Sequence, residues 1–368
     1  LHNWAGDLYR EIGDLVAAAA HWEAAQVDDV PALERLAQTY LTLQRWDDTR
    51  NTLERLLVVD PDHAWGHYQL GLILMAYDPI AAETHLRVVV GNSAYNVVVA
   101  ALLDVIQYEE MQTLAMRAGF VMANHNLWPY AELIFRQVAL VNHPYPEAMA
   151  YVGLARTNQG KDGSAWMEQA LLFGEDVARV YYLYGLHLRY LGDYRGSKQA
   201  FSQATVLDSV EPVYYAELGM ANSYVLELEE AEYWLMLAVA LSNYEPAFQE
   251  LLAQFYTETG YTSGVMNAEF LSQLNTYVPD DADSLANYGW TWYLTGDVGE
   301  ALLQLDAALG LEPQNPLALF YKAQILLASD LTEQAVPLLV RLAASESPSA
   351  EWAAEVLALL ESEVSDSE

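Results

Sequence analysis

The chain has 368 residues, 53% of them apolar, and a formal net charge of −35 that comes from 51 acidic but only 16 basic side chains. Such a field repels polyanions, so DNA and RNA are excluded as steered partners and anionic membrane surfaces are disfavoured, while basic or neutral proteins remain open. The absence of cysteine excludes disulfides, thiolate metal sites and cysteine nucleophiles. Only Lys161, Lys198 and Lys322 are lysines; lysine scarcity without cysteine fits an extracytoplasmic or a thermophilic protein, and an extracytoplasmic or cell-surface place is favoured over a cytoplasmic one. No run approaches the roughly 18–20 apolar residues that span a bilayer; the most apolar stretch, near Tyr95–Ile106, is broken by Asn96 and Asp104. The chain starts at Leu1 rather than methionine, which reads as a mature or excised form.

From the first residues onward, apolar side chains recur at three- and four-residue spacings, which predicts helices throughout. A small residue returns at Gly6, Ala37, Gly71, Gly119, Gly153, Gly185, Gly219, Ala253, Gly289 and Ala323, mostly 34 residues apart, as from Gly119 to Gly153. A second small residue follows at Ala25, Ala204, Ala238 and Ala308, and turn glycines at Gly13, Gly160, Gly192, Gly260 and Gly296. Each unit therefore reads as two helices brought close by small residues. A Gly-Asp turn joins them, because Gly tolerates the left-handed conformation and Asp caps the next helix. Pro61 and Pro313 close units, since proline cannot continue a helix.

Two irregularities stand out along the chain. The interval from Gly71 to Gly119 is fourteen residues too long, and the surplus near 93–110 predicts an additional helix at about Tyr95–Tyr108. The unit Met149–Phe173 is compressed at its Lys161-Asp162-Gly163 turn. The clearest unit is Leu285–Pro313, with Tyr288-Gly289, Trp292, the Gly296-Asp297 turn and then Ala301, Leu305 and Ala308. Residues 1–348 thus form the repeat array and 349–362 a capping helix, with Trp352, Val356 and Leu359-Leu360 on its apolar side. Residues 363–368 form an acidic tail.

These units resemble the tetratricopeptide repeat, about ten of them in phase. The resemblance implies an all-α, right-handed superhelical α-solenoid of antiparallel helix hairpins, whose first helices line a concave groove. The residues that would face inward are then Trp65, Tyr68, Leu72 and Met75; Met116 and Phe120; Tyr182, Leu186, Arg189 and Tyr190; Met220 and Tyr224; Trp290 and Tyr293; and Phe320 and Leu327. Trp65, Tyr68, Phe120, Tyr182, Arg189, Tyr190, Tyr224, Trp290 and Tyr293 are the candidate partner-binding residues, since large rings with a polar handle make interface anchors. An aromatic stripe at helical spacing also fits intramolecular packing, and both readings stay open. The Lys, Arg and Asn clamp by which some family members hold acidic tails is missing: Arg189, Asn158 and Asn124 are too sparse.

No glycine-rich phosphate loop, HExxH or GxSxG pattern occurs. His63 and His67 share an i, i+4 spacing without an evident third ligand, and capping or surface roles fit them better than metal binding. No catalytic residue, metal or cofactor is expected. The function that follows is a noncatalytic scaffold or adaptor holding a protein or peptide, apolar or basic in character, in an aromatic groove. The alternatives are a subunit that self-associates into a filament or surface assembly, and the regulatory arm of a larger protein.

Overall fold

The computed structural model describes residues 2–108, 111–141, 144–259, 281–294 and 296–365. Every regular element among them is an α-helix, and the chain divides into two compact units, Leu1–Leu191 and Gly192–Glu368.

Unit 1 holds the hairpins α1 (His2–Glu11) and α2 (Leu15–Ala25), α3 (Val30–Thr42) and α4 (Trp46–Val59), and α5 (Ala64–Leu74) and α6 (Pro79–Val88). The single helix α7 (Asn96–Tyr108) follows, then the hairpins α8 (Met111–Asn124) and α9 (Trp128–Val141), and α10 (Pro146–Asn158) and α11 (Ser164–Phe173), and finally α12 (Ala178–Tyr190). Unit 2 holds α13 (Tyr194–Leu207), the hairpin α14 (Pro212–Tyr224) and α15 (Leu228–Leu241), then α16 (Pro246–Thr259). The hairpins α17 (Ala282–Leu294) and α18 (Val298–Leu311), and α19 (Pro316–Ala328) and α20 (Thr332–Ala343), precede α21 (Ala350–Ser365). The unit boundary falls between α12 and α13, which the 34-residue phase counts as the halves of one repeat. The turn expected at Gly260, and Glu109 and Glu110 of the surplus segment, lie outside the described residues.

The Gly-Asp turns work as their chemistry dictates. Gly13, Gly192 and Gly296 sit at φ of 83°, 81° and 94°, and the aspartate after each accepts a hydrogen bond from a backbone N–H of the following helix. Asp29, Asp78 and Asn315 cap α3, α6 and α19 in the same way, each with a proline in the first turn.

At six of the first helices the small residue is a glycine that forms a slot for one large side chain of the second. At Gly6 the occupant is Trp22, at Gly71 Leu86, at Gly119 Phe135, at Gly153 Met167, at Gly219 Leu235 and at Gly289 Leu305. The small residues let the helices approach as expected, and the gap each glycine leaves is filled by an occupant whose full burial contributes about 2 kcal/mol. Backbone approach adds to this in unit 2, where the Ala231 and Ala301 carbonyls come close to Gly219 and Gly289.

Unit 1 also makes contacts between hairpins that are far apart in sequence. Helix α7 packs between α6 and α8, and α9 touches α5. The Tyr130 hydroxyl bonds to the Gln69 amide oxygen, and its ring lies 5.4 Å from that of Trp46. The Gln44 amide donates to Gln159 at 2.7 Å, and the Lys161 ammonium joins both glutamines. Gln159 in turn donates to the buried Glu132 carboxylate at 2.9 Å, which also pairs with Arg136 at 2.9 Å and Arg156 at 3.0 Å. The compressed α10–α11 turn is thus where three hairpins are tied together.

In unit 2, α21 lays Trp352, Ala353, Val356, Leu357 and Leu360 against the last hairpin, and Trp352 meets the Phe320 ring edge-on at 4.9 Å. Leu359, expected on the apolar side, is 64% exposed; Ala353 faces inward. The helix runs to Ser365, past the expected start of the acidic tail.

Candidate functional site

Two hollows open on the first-helix faces of unit 1, each of about 300 Å³. The first is floored by Met116 and Phe120 of α8 and Tyr151 of α10. Its rim carries Thr113 and Arg117 of α8, Tyr145 and Glu147 at the start of α10, and Arg179 of α12. The Arg179 guanidinium donates to the Tyr151 hydroxyl at 3.2 Å. Phe120 lies 4.8 Å from the Tyr151 ring and 5.7 Å from Phe135, the occupant of the Gly119 slot. Burial, followed by the neighbouring Glu147 carboxylate that accepts its hydroxyl, pushes the Tyr145 phenol above its ordinary pKa and keeps it a donor.

The second hollow is lined by Trp128, by Leu154 and Asn158 of α10, and by Leu186, Arg189 and Tyr190 of α12. Tyr190 is 57% exposed at its mouth. Both hollows combine an apolar floor with guanidinium, phenol or amide groups at the rim, in a chain otherwise short of bases. That composition takes an apolar side chain and holds the acceptors beside it.

The expected partner-binding residues divide between these hollows and the interior. Phe120 joins the first hollow; Arg189 and Tyr190 meet in the second; Tyr182 is half-buried on α12 against the core. Tyr68 is buried and stacked on Tyr95 at 4.2 Å, just before α7, with Trp65 half-buried nearby. Leu72, Met75, Met116 and Met220 are buried as well, so of these only Met116 borders a hollow. In unit 2, Tyr224 is exposed beside Tyr194 at 5.1 Å, and Trp290 stacks on Tyr321 at 4.8 Å with Tyr293 at 5.0 Å.

Thr113, Arg117, Tyr145, Glu147, Tyr151, Arg179 and Trp128 were not anticipated. Three of them could have been. With the small residue counted as eighth, Thr113, Glu147 and Arg179 hold the second, inward position of their units, but a search for aromatic anchors passes over polar residues.

The histidine pair does not converge. His63 accepts the Gly66 N–H at 3.1 Å and caps α5. His67 reaches the Pro61 carbonyl and the His85 ring, each at 2.8 Å. Because a carbonyl only accepts, neutral His67 carries its proton on Nε2 and receives one from His85 Nδ1. Burial and then His67 hold the His85 imidazole below its ordinary pKa. Among the described residues no group of three or more His, Asp or Glu is placed to hold a metal, and no helix is long and apolar enough to cross a membrane.

Filled slots, capped hairpins and first-helix hollows define a helical-repeat protein. The tetratricopeptide repeat family model matches residues 293–351, which run from the end of α17 to the start of α21. The same slot geometry recurs in both units, so the tetratricopeptide repeat match at 293–351 lies within a longer array of similar helical hairpins. No curated protein matches its sequence. Among solved structures it is similar to Pseudomonas aeruginosa pilF at 15% identity, covering 58% of this chain and 97% of that one, with a TM-score of 0.46. It is also similar to the Cut9–Hcn1 structure of the APC/C at 13% identity, covering 96% and 88%, with a TM-score of 0.42. Yeast Tom70 matches at 13% identity over 99% and 95%, with a TM-score of 0.34.

Proposed function

We propose that the protein is a noncatalytic interaction scaffold whose unit 1 holds a segment of a partner protein across α8, α10 and α12. The observation that carries this reading is the pair of hollows, each with an apolar floor and a polar rim on the helix faces that the repeat leaves uncovered. Apolar side chains of the partner fill the hollows, while Tyr145, Arg179 and Asn158 engage its backbone. Elsewhere the acidic surface favours a partner of basic character. Phe120, Leu186 and Tyr190 are the anchors, with Tyr182 and Arg189 beside them. In unit 2, Tyr224, Trp290 and Tyr293 form a second set of ring contacts.

The experiment is capture of partners from native extract with the intact chain, then affinity measurement on the purified partner. Phe120→Ser and Tyr190→Ser together should weaken binding by about tenfold or more, the scale at which interface anchors act. Unchanged affinity would remove the groove from the account.

A second reading, self-association, is favoured by one observation. Trp4 and Leu8 of α1 and Ile12 just after it form an exposed i, i+4, i+8 stripe, with exposures of 69%, 44% and 68%. Light scattering over a concentration series tests it, and a monomer at all concentrations rejects it.

A further inference from the structure

Two hairpins of unit 1 join their helices through histidine. In the first, His2 of α1 and His21 of α2 bring their Nδ1 atoms to 3.2 Å; in the third, His67 of α5 and His85 of α6 bring theirs to 2.8 Å. Both pairs occupy the same places of the repeat. His2 and His67 each stand four residues before the slot glycine, and His21 and His85 each stand just before its occupant. In the other four glycine-slotted hairpins one of these two places holds a buried core side chain: Ile134, Met149, Tyr215 or Leu285. Tyr215 stacks on its counterpart Trp234 at 5.7 Å, so the slot geometry itself brings the two places face to face. Apolar packing is the rule at this point of the hairpin, and a pair of imidazoles is the exception, made twice.

A hydrogen bond between helices does not require imidazole on both sides, whereas a borderline transition-metal ion favours it. Two ring nitrogens bound to one ion at about 2.0–2.1 Å lie about 2.8–3.4 Å apart, from square to tetrahedral angles. Both pairs fall within that span. His67 also carries the outer contact that orients a ligating ring: its Nε2–H donates to the Pro61 carbonyl at 2.8 Å, which leaves the Nδ1 lone pair facing His85. In the other pair, Tyr9 stacks on His21 at 5.2 Å and holds the plane of its ring. None of the four imidazoles is fully buried, and the acidic chain draws cations towards them.

We propose that each pair is a two-histidine site for a divalent ion of the nickel, copper and zinc group, bound through both Nδ1 atoms with water in the remaining positions. The ion replaces the hydrogen bond between the rings, and each neutral imidazole keeps its one proton on Nε2. It ties the two helices of a hairpin together and so stabilises the folded chain. These sites lie apart from the hollows and do not depend on the scaffold reading.

The test is isothermal titration calorimetry of the intact, chelator-treated chain with zinc chloride, with magnesium chloride as the probe of binding to surface carboxylates. Two zinc ions should bind tightly per chain, and magnesium should not compete for them. His21→Gln and His85→Gln should each weaken one site by about tenfold or more, and the double variant should lose both. His125→Gln, at an exposed histidine outside the pairs, should leave both intact. Zinc should raise the melting temperature of the native chain and not that of the double variant. Tight zinc binding that survives the double variant, or that magnesium displaces, overturns the proposal. So does a native chain whose melting temperature zinc does not move. Should a variant fail to fold, copper(II) electron paramagnetic resonance on the native chain reads the same claim: hyperfine coupling from two imidazole nitrogens per copper is expected, and coupling from one or none contradicts it.

Discussion

Units 1 and 2 use the same hairpin but differ in how far along the chain their polar contacts reach. In unit 2 the described bonds join nearby helices: Lys198 to Glu227 at 2.6 Å, Asn315 to Asp283 at 2.7 Å, and Lys322 to Asp306. In unit 1, Gln44 at the α3–α4 turn meets Gln159 and Lys161 at the α10–α11 turn, and Tyr130 of α9 meets Trp46 and Gln69. The element that sets unit 1 apart is α7, standing between two hairpins that would otherwise stack directly. A stack with neighbour contacts alone loses structure from its ends, because its stability sums over local interfaces. A tie between sequence-distant turns instead makes everything between α3 and α11 open together.

The largest effect should come from the tied turn. A Cβ at Gly163 would run into the Gly153 carbonyl, a backbone atom that cannot step aside. Gly163→Ala should cost about 3 kcal/mol in urea unfolding, the upper range for overpacking. In unit 2, by contrast, Gly310 lies within α18 with nothing inside 4 Å of its Cβ position. Gly310→Ala should stabilise by about 0.5–1 kcal/mol through helix propensity.

Glu132→Gln leaves Arg136 and Arg156 without a buried carboxylate and should cost about 2 kcal/mol, less than a wholly buried pair because both guanidiniums are partly solvated. Hydrogen exchange should show the loss throughout α3–α11 while α17–α20 keep their protection. Gln44→Ala should cost about 1 kcal/mol, with most of it lost when Gln159 is already alanine. An additive double mutant would dissolve the distinction between the units.

The smallest effect is pH dependence. His187 is buried against the Thr157 hydroxyl at 2.7 Å, and burial holds its imidazole below the ordinary value, with Asp162 pulling the other way. An unfolded histidine titrates near about 6.5. The neutral form is therefore favoured by folding: its contribution is complete above that pH and is lost as pH falls through the lower folded value. Melting temperature should drop as pH is lowered from about 6.5, before carboxylates titrate, and His187→Gln should flatten that slope.

Much of this was legible in the sequence because it is local. Gly13-Asp14, Gly192-Asp193 and Gly296-Asp297 carry their turn and cap in adjacent residues, and the 34-residue phase located the slots. The surplus near 93–110 marked α7 through spacing alone. The fold-back was invisible, since Gln44 and Gln159 are ordinary surface residues joined by no pattern. The inserted segment also accounts for one groove residue that is covered: Tyr68 holds an inward position, but Tyr95 ahead of α7 stacks on it. Arg179 holds an inward repeat position and was legible in principle, whereas Arg117 reaches the same rim only because α8, α10 and α12 pack side by side.

Site-specific photocrosslinking in the native host tests the scaffold reading most directly. A benzophenone side chain at position 120 and another at 190 should each crosslink the same partner protein, and one at Tyr233, exposed on α15, should not. Identical adducts from all three positions, or none from the two hollows, would contradict it.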